Sequence, residues 1–231
     1  MIETENLTLH YGGAQILHGI SLTAKVGEVT CIMGPNGVGK TSLLKAIAGT
    51  HARSGGSLRM DGVALPCLPP QAMARKGLAY VPQGRMIFPL LTVRENLETG
   101  FACLPRSEHL IPEEVYTLFP VLKEMSHRRG GDLSGGQQQQ LAIARALITR
   151  PRVFLLDEPT EGIQPNIIQQ IGRVISMLRN RGDMAIILVE QYFDFAWDLG
   201  DSFHVLRRGA IALSGRKDTL SRDSLRAEVS V

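Results

Sequence analysis

The sequence predicts an α/β fold in which a glycine loop joins a strand to a helix, with an antiparallel β layer beside it and a helical lobe inserted midway. Three observations predict this. First, residues 28–33 read as a short apolar strand and residues 42–49 as a helix stopped by glycine. Between them lies Gly34-Pro35-Asn36-Gly37-Val38-Gly39-Lys40-Thr41, which fits the P-loop pattern G-x-x-x-x-G-K-[ST] at every required position. Second, residues 84–133 are mostly helical in pattern, with no strong strand. Third, the last third of the chain alternates buried strands with amphipathic helices, the order of an α/β layer fold. At 231 residues, one domain accommodates all three. Residues 1–83 and 134–231 are expected to form the α/β core with its β layer, and residues 84–133 a helical subdomain.

From the N-terminus, residues 2–9 alternate, with Leu7 and Leu9 apolar, until Tyr11-Gly12-Gly13 breaks the pattern. Residues 20–24 alternate again before the turn at Lys25-Val26-Gly27, and residues 56–60 form a strand ending at the turn pair Asp61-Gly62. These strands make the antiparallel layer. Residues 77–83 give a strand stopped by Pro82. In the lobe, Thr92-Val93-Arg94-Glu95 is a capping box, a hydroxyl followed three residues on by a carboxylate, and it opens a short helix. Residues 113–124 read as one further helix with Val115, Leu118, Val121 and Leu122 on one face. Residues 137–149 are helical, with Leu141, Ala144, Leu147 and Ile148 in one stripe, and residues 153–156 are a buried strand. The helix over 166–180 carries Ile168, Ile171, Ile175 and Leu178 and is closed by Gly182. Residues 185–189 are a second buried strand. Residues 202–206 and 210–214 bracket the turn at Arg208-Gly209 as a closing hairpin.

Bulk properties exclude several classes of function. The net charge of +3 is small, and Lys and Arg form no run of five, so nucleic-acid binding has no electrostatic footprint. The acidic, polar start Met1-Ile2-Glu3-Thr4-Glu5-Asn6 is no secretory signal. The aliphatic run over 185–189 falls far short of the roughly 20 apolar residues that span a bilayer, so a chain soluble on its own is expected. Cys31, Cys67 and Cys103 are odd in number and scattered, which points to a reducing cytoplasm rather than to disulfides. The six histidines show no i, i+4 pair, and no transition-metal site is expected.

The chemistry rests on three stretches. Glycines in the 34–41 loop let the backbone curl so that successive N–H groups face one anion, and the following helix adds the positive end of its dipole. Lys40 then supplies a mobile charge for the outer phosphates of a nucleoside triphosphate and the Thr41 hydroxyl a ligand for Mg2+. The expected nucleotide-binding set here is Gly34, Pro35, Asn36, Gly37, Val38, Gly39, Lys40, Thr41 and Ser42. A glycine turn that binds nothing is the alternative, and the strand–loop–helix context weighs against it.

Next, Val153-Phe154-Leu155-Leu156-Asp157-Glu158 is four apolar residues and then two carboxylates. A buried strand delivers its C-terminal end to the ligand edge of an open α/β sheet. Asp157 can hold magnesium there through its water shell, while Glu158 can polarise an attacking water. Solvated acids at a strand end are the bland alternative, and pairing with the glycine loop favours chemistry. Finally, Leu133-Ser134-Gly135-Gly136-Gln137 opens a helix, placing a hydroxyl and two glycines at a second anion-binding end. Two phosphate-recognition elements with one ATP loop are explained most economically by a dimer. In it, Ser134, Gly135, Gly136 and Gln137 of each chain close the other's ATP site.

With these residues the chain resembles the ATP-binding subunits of ABC transporters over almost its full length: Walker A at 34–41, the LSGGQ signature at 133–137, and Walker B with its glutamate at 153–158. The resemblance implies an ABC ATPase fold, with ATP and Mg2+ as cofactors. It implies that Gln83 is the Q-loop glutamine, touching magnesium and the attacking water, and that Tyr11 stacks on adenine. Read alone, Tyr11 is also a plain strand-end aromatic. Two positions depart from the family pattern: Gln164 stands where an aspartate is usual, and Gln191 replaces the switch histidine. An amide donates a hydrogen bond but does not titrate, so Gln191 is expected to sense the γ-phosphate as a neutral donor, alongside Glu158 and Gln83. Val189-Glu190-Gln191 and Gly162-Ile163-Gln164-Pro165 resemble importers of the branched-chain amino acid type. Within that group, residues 81–89, 137–147 and 158–169 resemble the urea importer's ATP-binding subunit.

The resemblance implies an ATPase that dimerises on ATP, as a homodimer or with a second ABC ATPase subunit. It would drive separate membrane-spanning permease subunits from the cytoplasmic face of the bacterial plasma membrane, with a periplasmic or extracellular solute-binding protein in the full system. Urea is the expected cargo, with branched-chain amino acids as the alternative. Met86, Ile87 and Phe88 either dock on the permease or are lobe core. A soluble ABC ATPase acting on DNA or ribosomes is the competing class. Against it, no sustained heptads separate Lys40 from Ser134, and only one cassette is present. A degenerate interaction protein is a third class, and the presence of Lys40, Gln83, Ser134, Asp157 and Glu158 speaks against it.

Overall fold

The computed structural model describes residues 1–229. Two sheets form. The first is a four-stranded antiparallel sheet of β1 (Ile2–Tyr11), β2 (Ala14–Ala24), β4 (Gly55–Met60) and β5 (Val63–Leu65), in the order β2-β1-β4-β5. The second has six strands in the order β10-β9-β3-β8-β7-β6, built from β3 (Val29–Met33), β6 (Leu78–Val81), β7 (Val153–Asp157), β8 (Ala185–Val189), β9 (Ser202–Arg207) and β10 (Ala210–Arg216). All its pairs are parallel except the closing β9–β10 hairpin.

The central strands β3, β7 and β8 are buried at every residue. A parallel sheet covered on both faces requires such continuous apolar runs. Alternate residues divide between two cores, as the period of two demands. Val153 and Leu155 of β7 pack with α1 (Lys40–Ala48) and the inner face of the antiparallel sheet. Phe154 and Leu156 pack instead with α6 (Gly135–Ile148), α7 (Pro165–Arg181) and α8 (Phe193–Leu199). Each fully buried side chain of this size contributes about 1.5–3 kcal/mol. The sheet is thus a rigid plate whose C-terminal edge can hold residues in fixed places.

The lobe holds α3 (Val93–Glu98), α4 (Glu113–Leu118) and α5 (Pro120–Glu124), with short 3-10 turns between α3 and α4. The capping box at Thr92 forms with both of its hydrogen bonds. The single helix expected over 113–124 is instead two. Pro120 lacks the N–H that would continue the ladder and disfavours helical backbone at Phe119, which adopts φ −135° and ψ 74°. Three helices had no counterpart in the sequence reading: α2 (Pro70–Arg75), α8 and α9 (Arg222–Val229). The first two strands are also longer than the alternation suggested. Among the described residues, no helix is long and apolar enough to cross a membrane.

Candidate functional site

The glycine loop leaves β3 and enters α1 through three left-handed glycines, Gly34 (φ 139°), Gly37 (φ 80°) and Gly39 (φ 106°). At Gly34 a Cβ would stand 2.3 Å from the Leu206 carbonyl oxygen, so the loop packs directly on β9 and admits no side chain there. The Val38 carbonyl accepts from the Gly209 N–H at 3.0 Å, pinning the loop to the β9–β10 turn. Gly39 caps α1 without a side-chain bond, which leaves first-turn N–H groups for an external acceptor. Lys40 is 4% exposed, and its ammonium donates to the carbonyls of Gly34 (2.7 Å) and Pro35 (2.9 Å). A cavity of about 280 Å³ lies over this loop, lined by Tyr11, Asn36, Lys40, Ser42, Gln83 and Glu158 among others. Tyr11 is partly exposed at its mouth, with its ring 4.4 Å from that of His51.

Asp157 ends β7 and is 1% exposed. Its Oδ1 accepts from the Thr41 hydroxyl at 3.2 Å and its Oδ2 from the Tyr80 phenol at 2.9 Å. Burial raises its pKa from the ordinary aspartate value, against the pull of both donors. Glu158 follows in the left-handed region at φ 48°, a strained conformation for a side chain of its size. Three side chains from separate segments meet its carboxylate: Lys40 at 3.4 Å, the Gln83 amide at 3.3 Å and the Gln191 amide at 2.7 Å. Gln191 also donates to Asn36 of the glycine loop at 2.6 Å, and Gln83 to Glu161 at 3.0 Å. The Thr41 hydroxyl, the Asp157 carboxylate and the Gln83 amide are hard oxygen donors, a set that fits a hard divalent cation such as magnesium.

Glu190 was not singled out in the sequence, although it stands after a buried strand just as Asp157 ends one. It is 2% exposed and accepts from the Thr160 hydroxyl (2.7 Å) and from the N–H groups of Thr160, Gln191 and Tyr192. Burial raises its pKa while these four donors lower it. The bonds tie the loop after β7 to the loop after β8, which fixes Gln191 in front of Glu158.

The stretch 134–137 lies elsewhere. Ser134 caps α6, accepting from the Gln137 N–H at 3.3 Å, and the Gln137 side chain accepts from the Ser134 N–H at 2.9 Å. Ser134 is exposed, and no residue of 134–137 lines the cavity over the glycine loop. The guanidinium of Arg85 covers Gly135, where a Cβ would stand 3.0 Å from both of its terminal nitrogens. Gly136 packs on Ile167, and Gln164 is the exposed N-cap of α7. The structure therefore gathers Tyr11, residues 34–42, Gln83, Asp157, Glu158 and Gln191, and leaves the second anion-binding end apart.

A larger, mainly apolar groove of about 640 Å³ runs between α1, α2, β6 and α6, with Tyr80, Met86, Phe88 and Arg145 on its walls. Met86 and Phe88 are exposed, whereas Ile87 packs against the hydrophobic core, so of the run over 86–88 Ile87 alone takes the core role considered for it.

The ABC transporter family model matches residues 17–161. The high-affinity branched-chain amino acid transport ATP-binding protein BraG of Pseudomonas aeruginosa is 41% identical over 214 residues, covering 92% of this chain and 91% of that protein. The lipopolysaccharide export system ATP-binding protein LptB of Haemophilus influenzae is 32% identical over 96% of this chain and 93% of its own length. Among solved structures, the dimeric structure of a bacterial ABC transporter cassette superposes with a TM-score of 0.83 at 26% identity, over 94% of this chain and 99% of that one.

Proposed function

The chain belongs to the ABC transporter family of ATP-binding proteins, and we propose that it is the ATP-hydrolysing subunit of an importer of the branched-chain amino acid type. The observation that carries the hydrolytic reading is the convergence of Lys40, Gln83 and Gln191 on the Glu158 carboxylate. These are the groups that must meet around a γ-phosphate and its attacking water. Residues 34–42 cradle the phosphates, with Tyr11 against the base. Lys40 leaves the carbonyls of its own loop to meet the outer phosphates, which frees Glu158 to accept a proton from water. Gln191, whose two amide protons bond Asn36 and Glu158, turns one of them to the γ-phosphate as a neutral donor. Thr41, Asp157 and Gln83 would hold magnesium, which when bound neutralises charge on the phosphates.

Ser134 to Gln137 of a second ATP-binding subunit, identical or related, complete the site in trans. Residues 84–133 act as the helical lobe, and the groove bearing exposed Met86 and Phe88 receives the membrane-spanning permease subunits. The chain would work at the cytoplasmic face of a bacterial plasma membrane, with a solute-binding protein outside. The identity to BraG supports branched-chain amino acids over urea, whose claim rests on short sequence stretches alone. Co-purification with the membrane partners, followed by uptake of labelled leucine and urea into vesicles, tests this. ATP-dependent leucine uptake is the expected result. Uptake of urea alone overturns the cargo, and absence of any ATP-driven uptake overturns the importer reading.

A further inference from the structure

Tyr80 has no role in any motif of the sequence, yet it makes one of the two hydrogen bonds that hold Asp157. Its position follows from sheet register. β6 and β7 run parallel with Tyr80 beside Leu155, so Tyr80 lies on the same face as Asp157, two residues further along β7. The aromatic ring packs against the core shared with α1, and its hydroxyl reaches the carboxylate at 2.9 Å.

We propose that Tyr80 is a positioning residue of the nucleotide site: its phenol fixes the Asp157 carboxylate so that the other oxygen holds the Thr41 hydroxyl proton and turns that hydroxyl's lone pairs toward the cation. This rests on the reading of Thr41 and Asp157 as the cation-holding pair. A carboxylate that is 1% exposed must have its oxygens satisfied by the protein, and among the described residues Tyr80 and Thr41 are the ones that donate to it. Without the phenol, Oδ2 would lose its partner and the carboxylate would be free to rotate, taking the Thr41 proton with it. Outer hydrogen bonds of this kind orient metal ligands, and their removal typically costs 10–100-fold in metal affinity. Tyr80 also lines the large groove beside Met86 and Phe88, so one side chain touches both that groove and the carboxylate.

The test is Tyr80→Phe, which removes one oxygen and keeps the ring in the core. Mn2+ replaces magnesium, and its binding to the ATP-loaded Glu158→Gln chain is read from the EPR signal of free Mn2+, so that no turnover is needed. The expected result is an approximately tenfold weaker Mn2+ affinity in Tyr80→Phe, with metal-free ATP affinity unchanged. In the Asp157→Asn background the same substitution should add no further loss. Unaltered Mn2+ affinity overturns the proposal. So does an equal loss of metal-free ATP binding, or a full effect that persists without the Asp157 carboxylate. If the chain bearing Tyr80 binds no Mn2+ with ATP, the cation-site reading itself fails.

Discussion

The glycine loop at 34–41 and the stretch at 134–137 both lead into a helix through glycines, yet the structure treats them differently. The first is braced from within the chain: Lys40 is buried on its own loop carbonyls, and Glu158 gathers Lys40, Gln83 and Gln191. The second is exposed at Ser134 and closed only by its own capping box, away from the cavity over the glycine loop. A near copy of that box exists at Thr92 and Glu95, where no glycines follow. Cap geometry alone therefore does not mark a site. What distinguishes 134–137 is a pair of glycines, Gly135 under the Arg85 guanidinium and Gly136 against Ile167, each at a position where a Cβ would stand 3.0 Å from that neighbour.

Substitutions sharpen this contrast in order of their effect on turnover. Glu158→Gln should lower steady-state ATP hydrolysis about a thousandfold while ATP still binds; undiminished phosphate release would remove Glu158 from its role. Ser134→Ala should cost about 1 kcal/mol of stability as a lost cap, and about a hundredfold in turnover as a lost phosphate donor. Thr92→Ala should cost the same stability in urea melts and leave turnover unchanged. If both caps affect turnover alike, the distinction between them collapses. Gln191→Ala should slow hydrolysis about tenfold, by removing a hydrogen bond to a charged group. Gln191→His should instead retain activity but make its rate depend on pH near 6.5, since imidazole titrates where the amide does not.

No effect on turnover is expected from His204, which makes it a control for the fold itself. It is buried on β9 with Nδ1 against the Ser214 hydroxyl, and burial pushes its pKa down to about 4. A folded-state pKa below the unfolded value of about 6.5 means that the neutral ring stabilises the fold above that pH. That stability, about 3 kcal/mol, is lost as pH falls through 4. His204→Gln should flatten this part of the stability profile between pH 6.5 and 4, and an unchanged slope would mean that His204 charges freely in the folded chain.

The parts of this molecule legible in its sequence are those encoded locally. β3, β7 and β8 announce themselves as unbroken apolar runs, and α1 and α7 by the left-handed glycines Gly49 and Gly182 that end them. Each of the three motif loops is contiguous in sequence, so its pattern is legible without knowledge of which residues lie beside it in space. The split at Pro120 was printed in the sequence but masked by apolar periodicity that continues across it. Helix α8 was hidden because Phe193, Phe195 and Trp197 alternate like a strand; stacking of Trp197 on Phe203 helps hold it in place. In α9 only Leu225 is buried. The contact of Tyr80 with Asp157 joins residues on neighbouring strands that sheet register brings together, and that of Glu190 with Thr160 joins the loops that follow β8 and β7.

The central claim is that each chain holds half of an ATP site and needs a second subunit to complete it. Sedimentation of Glu158→Gln with saturating Mg-ATP measures this directly, both alone and mixed with the second ATP-binding subunit of its importer. The expected result is a nucleotide-dependent shift from the 25.3 kDa of one chain to the mass of a pair, abolished when the partner's signature serine is replaced by arginine. A chain saturated with ATP that remains at 25.3 kDa in both conditions would contradict it.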